Sequence, residues 1–373
     1  MRVALVAEQL LAPVPGGIGR YTRELGAALA RTGVTGDVVT GWTAWHRDLT
    51  AADIDGVDGP RRLRLPRRAL AAAWSRGTGP APRRADLVHV PSLLVPPRRG
   101  RPLVVSIHDT VPWTHPETLT AHGARWHVTM AERAVATGAA IGVLTRVVGD
   151  ELAAVLPGLT ADRIHVLGAG VSSALLVQPD RERVAEARHR LELPDRFVLS
   201  LATLEPRKGL DVLIEALGLL GTGAPELIVA GQPGWGDVDL AETAQRYGAR
   251  HVRALGKVSD ADLGVVLRAA TALVAPSRAE GFGLPVAEAM AVGTPVVCSD
   301  VPALVEVAGD AALVSPVGDS RALADAIDAI CGDETLRARL SSAGRTRAVA
   351  YQWDAVAGRA WRLYRDLVAP SDG

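Results

Sequence analysis

Short apolar runs rich in β-branched residues alternate along this chain with longer segments whose apolar positions recur every three or four residues. The short runs predict buried strands at Val3–Ala7, Asp86–Val90, Leu103–Ile107, Ala140–Leu144 and Ile164–Leu167 in the first half. In the second half they predict strands at Phe197–Ala202, Glu226–Ala230, Val252–Leu255, Ala272–Ala275 and Pro295–Ser299. Helical spacing appears between them, at Ile18–Arg31, Leu210–Leu220 and Asp260–Ala269, and again at Asp354–Leu367. Strand–helix alternation argues for an α/β protein with doubly wound parallel sheets. The stretch Ser173–Asp195 is polar and charge-rich, and a chain of 373 residues is long enough for two ordinary domains. The expected organisation is a first domain over 1–172, a connection over 173–195, a second domain over 196–350 and a terminal segment over 351–373. No repeat of solenoid period is present.

Composition narrows the classes. Hydrophobic residues make up 48% of the chain, enough for two substantial cores. Lys plus Arg equals Asp plus Glu at 41 each, so net charge gives no reason to expect a nucleic-acid partner. Cys298 and Cys331 are too few for a disulfide framework, and Cys298 sits in a predicted buried strand. No apolar run approaches the ~18 residues a membrane span needs. Met1–Ala7 has the look of a short signal segment, but Glu8 and Gln9 interrupt it, so it is read as the first strand of a cytoplasmic protein. The region 60–101 holds eleven arginines against one acid, Asp86. It reads either as a solvated surface or as a basic face for peripheral association with an anionic membrane or a phosphorylated acceptor.

The densest chemistry lies in Glu280-Gly-Phe-Gly-Leu-Pro-Val-Ala-Glu288, which follows the predicted strand Ala272–Ala275. Pro285 suits the first turn of a helix, where its missing N–H costs nothing. Glu280 then lies on the loop at the strand's C-terminal edge, and Glu288 about one turn into the helix. Helix-terminal N–H groups favour an anion, and an ionised carboxylate accepts hydrogen bonds from a sugar diol. An anion and a diol on one ligand suggest a nucleotide sugar. With its continuation through Ala289-Met-Ala-Val-Gly-Thr-Pro-Val-Val-Cys-Ser-Asp300, the segment resembles the E-x7-E signature of retaining glycosyltransferases, most closely glycosyltransferase family 4. The resemblance implies the GT-B architecture, two Rossmann-like doubly wound parallel-sheet domains facing across a cleft, with the acceptor on the first domain, the nucleotide sugar on the second and a C-terminal helix crossing back to the first.

Further segments fit that family. Pro15-Gly-Gly-Ile-Gly-Arg-Tyr21 joins a strand to a helix, and Gly16 and Gly17 let backbone approach a ligand closely. It is not a dinucleotide fingerprint, because Thr22 stands where the third glycine belongs. By resemblance this loop faces the donor phosphates and acceptor, with Arg20 beside it. His108-Asp-Thr-Val-Pro-Trp-Thr-His-Pro-Glu117 resembles a pattern of a mannosyltransferase-rich subgroup. That likeness implies GDP-mannose as the favoured donor, His108 against the donor sugar, and Asp109 beside the imidazole or facing the acceptor.

Arg207 and Lys208 stand on the loop after Phe197–Ala202, where paired cations suit the diphosphate released by glycosyl transfer. Ala202 departs from the arginine that many family members carry six residues before this lysine. The resemblance implies front-face substitution: Glu280 binds hydroxyls of the transferred sugar, Glu288 the nucleotide ribose, and the backbone from Gly281 through Phe282, Gly283 and Leu284 holds phosphate or sugar oxygens. The catalytic set is thus His108, Asp109, Lys208 and Glu280, with a hydroxyl acceptor, no cofactor and no metal. The Asp-x-Asp triplets at 53/55, 237/239 and 260/262 do not directly follow strands and are read as chance. Two alternatives stay open. One is a nucleotide-sugar epimerase or hydrolase of the same fold, whose two glutamates could act as an acid–nucleophile pair. The other is a non-catalytic sugar-nucleotide-binding protein.

Overall fold

The structure, a computed structural model, describes residues 1–234, 236 and 238–369. The chain divides into two units, one of residues 1–170 with the chain from Gln352 onward, the other of Val171–Tyr351.

Among the described residues the first unit holds seven strands: β1 Arg2–Val6, β2 Val38–Trp45, β3 Asp58–Pro66, β4 Leu87–Val90, β5 Leu103–Ile107, β6 Ala140–Val143 and β7 Ile164–Val166. They form one parallel sheet in the order β3-β2-β1-β4-β5-β6-β7. The second unit holds β8 Phe197–Leu201, β9 Glu226–Ala230, β10 Val252–Gly256, β11 Ala272–Ala275, β12 Val296–Ser299 and β13 Ala312–Ser315. Its parallel sheet runs β10-β9-β8-β11-β12-β13. Each order reverses once, between β1 and β4 and between β8 and β11. In open α/β sheets the crevice beyond the C-terminal ends of such strands is where ligands sit.

All ten predicted strands form, each within one residue of its expected ends. The central ones, such as β5 with all five residues buried, carry the continuous apolar run of a strand covered on both faces. Three strands were not anticipated. β3 is an edge strand in which only Leu63 is fully buried, so arginines and prolines are tolerated and no apolar run marks it. β13 is the other kind of edge, four residues with one buried. β2 is interior but broken in pattern by Gly41 and two threonines.

The stretch 173–195, expected as a connection, contains the helices Ser173–Leu176 and Arg181–Arg190 and belongs to the second unit. Its polarity reflects a helix that buries only Ala187. Helix Trp353–Val368 packs in the first unit along helix Gly16–Thr32, with Trp361 Nε1 donating to Leu29 O at 3.1 Å. Among the described residues no helix is long and apolar enough to cross a membrane.

Candidate functional site

The second-unit site is built at its sheet's switch point, by the loops that leave β8 and β11. After β8 the chain makes a tight turn over Pro206–Lys208 and passes Gly209 at φ +64°. A Cβ at Gly209 would lie 2.0 Å from Pro276 O, so only glycine lets the turn press against the end of β11. Arg278 fastens the two loops together. Its N–H donates to Arg207 O at 2.7 Å, and its guanidinium reaches Pro206 O at 2.7 Å and both carboxylate oxygens of Asp211 at 2.8 and 2.7 Å.

This fastening brings Arg207, Lys208 and Glu280 together. Lys208 Nζ donates to Glu280 Oε1 at 2.7 Å, Ser277 Oγ to the same oxygen at 2.8 Å, and Arg207 Nη1 to Oε2 at 3.3 Å. Arg207 also donates to Ala279 O at 2.7 Å and to Glu205 Oε1 at 2.7 Å. Burial pushes the Glu280 carboxyl up, but the charges of Lys208 and Arg207 outweigh it and hold the group below its ordinary value. The sequence assigned the cations to phosphate and Glu280 to sugar as separate tasks; here they form one charge-balanced cluster of two cations and two carboxylates. An arriving anion can share the cations with Glu280 without leaving a buried charge alone.

Beyond Glu280, Gly283 adopts φ +89°, and a Cβ there would lie 2.3 Å from Leu304 Cδ2. Helix Leu284–Val292 starts at this residue, with Pro285 in its first turn and Glu288 at its fifth position. Glu288 is only 4% exposed and is engaged within the chain. Phe282 is buried edge-on to Tyr351, centroids 5.4 Å apart, so its side chain serves packing. A narrow cleft lies among Ala202, Lys208, Ser277, Glu280, Gly283 and Leu304. The sequence reading missed Glu205, Asp211, Ser277 and Arg278; the one available signal was the glycine directly after Arg207-Lys208.

In the first unit, Gly16 and Gly17 are the first residues of helix Gly16–Thr32, Gly16 at φ +60°. A Cβ at Gly17 would meet nothing within 4 Å, so no protein packing demands glycine there. His108 leaves the C-terminal end of β5, and its Nε2 lies 2.8 Å from Pro91 O beyond β4. A carbonyl only accepts, so Nε2 carries the proton. Burial lowers the imidazole's pKa against the opposing pull of Pro91 and Asp109, so the ring is neutral with Nδ1 as its acceptor nitrogen. Asp109 Oδ1 accepts from Val111 N–H at 3.1 Å, which ties this carboxylate to the turn that follows.

The arginines of 60–101 spread over edge strand β3, helix Arg67–Ser75 and loops. Several are held by carbonyls: Arg62 reaches His46 O at 2.9 Å, Arg98 reaches Thr137 O at 3.1 Å and Arg99 reaches Gly79 O at 3.0 Å. Of the Asp-x-Asp triplets, 260/262 opens a helix, where Asp262 pairs with Arg190 at 2.7 Å. Asp237 lies outside the described residues.

Comparison with known proteins agrees with this architecture. Residues 15–175 match the family model described as Glycosyltransferase Family 4, and residues 182–347 match the one described as Glycosyl transferases group 1. The chain is 31% identical to the O-antigen chain mannosyltransferase B of Escherichia coli over 72% of this chain and 71% of that protein. It is 38% identical to the phosphatidyl-myo-inositol mannosyltransferase of Mycobacterium leprae, over 44% of each. Among solved structures, sucrose-phosphate synthase from Thermosynechococcus elongatus superposes with a TM-score of 0.73 at 24% identity over 100% of both chains. Anabaena HepE in complex with UDP and glucose superposes with a TM-score of 0.75 at 18% identity, over 98% of this chain and 100% of that one. With two Rossmann-type sheets, a glycine-hinged cation loop against Glu280 and these matches, the chain belongs to glycosyltransferase family 4 and is a glycosyltransferase of the GT-B fold.

Proposed function

We propose that this glycosyltransferase moves a sugar, with retention of anomeric configuration, from a nucleotide-diphosphate sugar to a hydroxyl acceptor, and that the favoured donor is GDP-mannose. The carrying observation is the convergence of Arg207, Lys208 and the start of helix Leu284–Val292 on Glu280 at the switch point of the second sheet. A hydrolase with two working glutamates has no use for such a clamp, whereas a leaving diphosphate needs one. Two of the relatives above are mannosyltransferases by name, which supports the choice of sugar.

In this reading the acceptor oxygen bonds to the anomeric carbon on the face from which the phosphate oxygen departs. The glycosidic electron pair leaves with that phosphate oxygen, which takes the acceptor's proton. Arg207 and Lys208 stabilise the charge that builds there, and backbone N–H groups over Gly281–Leu284 assist them. Glu280 accepts from hydroxyls of the transferred sugar and Glu288 from the ribose. His108, neutral and anchored through Nε2, offers Nδ1 to a sugar hydroxyl, while Gly16 and Gly17 allow phosphate or acceptor to come close. Asp109 holds the turn that carries His108. The reading calls on the paired cations and on no metal. The protein works in the cytoplasm, with the exposed arginines of 60–101 as a contact for an anionic membrane face.

The test is product analysis over a panel of nucleotide sugars, with and without hydroxyl acceptors, and assignment of the new anomeric centre by NMR. Transfer with retention, strongest from GDP-mannose, is expected. An inverted product removes the mechanism, a different preferred donor removes the mannose assignment, and rapid acceptor-independent hydrolysis or epimerisation removes transfer itself.

A further inference from the structure

Register puts His89, Val104, Ser106 and His108 on one face of the first unit's sheet, since His89 lies beside Val104 and strand side chains alternate. That face carries a buried polar frame. His89, fully buried, is bonded through Nδ1 to the Tyr364 hydroxyl on helix Trp353–Val368, and through Nε2 to Ser106 Oγ at 2.9 Å. Tyr21, from helix Gly16–Thr32, lies over the same face at 2% exposure. Its ring stands edge to face with His108, centroids 4.8 Å apart and planes at 87°. On its other side it meets Trp353 at 5.4 Å. Trp353 in turn is backed by Gly170, where a Cβ would lie 2.6 Å from the indole.

The hydroxyl of Tyr21 faces Ser106 without completing a hydrogen bond, and burial raises its pKa to about 12. The part of Tyr21 that touches His108 is the ring. Pro91 O holds the His108 imidazole at Nε2, and the aromatic ring packed against that imidazole is Tyr21.

We propose that Tyr21 is a positioning residue for His108: its ring, wedged between His108 and Trp353, sets the plane of the imidazole and so the direction of Nδ1. The inference rests on the role given to His108 above. It also couples the Gly16-Gly17 loop to His108, because Tyr21 lies one helical turn after Gly17 on the same helix.

The experiment is a mutant cycle on the full chain: Tyr21→Phe, Tyr21→Leu, Tyr21→Met, His108→Ala, and each of the Leu and Met changes combined with His108→Ala. Turnover, donor KM and melting temperature are measured for all. Misplacing a reacting group by about 1 Å can cost on the order of 100-fold. Tyr21→Leu or Tyr21→Met should therefore lower kcat by about 10- to 100-fold, with donor KM within about twofold. Tyr21→Phe keeps the ring and should retain turnover. In the His108→Ala background the Leu and Met changes should cost nothing further, since a positioning effect vanishes with the group positioned. Equal losses with and without His108, or a loss in Tyr21→Phe, overturn the proposal. Because Tyr21→Phe keeps the ring, a loss of turnover there overturns the proposal even if the Leu and Met variants unfold. Normal turnover in His108→Ala would instead remove the role of His108 while leaving the rest of the site in place.

Discussion

The pair Lys208–Glu280 offers a sharp separation of stability from chemistry. Both side chains are nearly buried, at 14% and 12% exposure, with Nζ 2.7 Å from Oε1. Removing one partner of a fully buried pair costs about 3–5 kcal/mol, because the other charge is stranded. Here Ser277 and Arg207 remain on the Glu280 carboxylate, at 2.8 and 3.3 Å. Lys208→Met should therefore cost less, about 1–3 kcal/mol. At about 2–4 °C per kcal/mol for a unit of this size, melting temperature should fall by roughly 2–12 °C. Turnover should fall by about 100- to 1,000-fold, the usual scale for losing one group that stabilises developing charge. Adding Glu280→Gln removes the stranded charge, and replacing both partners of a buried pair is often nearly neutral. The double variant should thus regain most of the melting temperature and none of the turnover. Scanning calorimetry and a donor-consumption assay on the same preparations decide it. If Lys208→Met lowers the melting temperature but keeps its turnover per folded molecule, Lys208 is a structural cation and the clamp assignment is wrong.

Four further outcomes follow from the same geometry. Glu280 has its carboxyl held below the ordinary 4.5, so its stabilisation is present above that pH and lost as pH falls through the lowered value; Glu280→Gln should flatten the acid limb of a stability–pH curve, and identical limbs count against the buried network. Gly209→Ala places a Cβ 2.0 Å from Pro276 O at φ +64°, and should cost more than about 3 kcal/mol in urea unfolding. Gly17→Ala meets open space at the second position of a helix, so stability should hold while turnover drops, and unchanged turnover would mean no ligand approaches there. Glu288→Ala should weaken nucleoside-diphosphate binding by about 1.5–3 kcal/mol in titration calorimetry, with unaltered affinity removing the ribose assignment.

What was legible in the sequence, and what was not, follows burial. Central strands such as Leu103–Ile107 and Ala272–Ala275 announce themselves because both faces must be apolar. The loop–helix junction at Glu280–Glu288 was equally plain, since glycine and proline have positional meaning at a helix start. Edge strand Asp58–Pro66 was hidden, because an edge needs only backbone pairing on one side and tolerates the arginines that dominate its sequence. Helix Arg181–Arg190 was hidden for a similar reason, burying a single alanine. Residue types along the chain gave Arg207, Lys208 and Glu280 as separate candidates. Their union is a tertiary fact: it depends on β8 and β11 being neighbours at the switch point, and on Gly209 letting a loop touch Pro276 across 67 residues of sequence. The amphipathic pattern of Trp353–Val368 fixed a helix, but only packing decided that Trp361 and Tyr364 would meet Leu29 and His89. Local periodicity is written into a sequence because each element must bury its own face. Which loops meet is set by how whole sheets order their strands, and no short stretch of sequence carries that information.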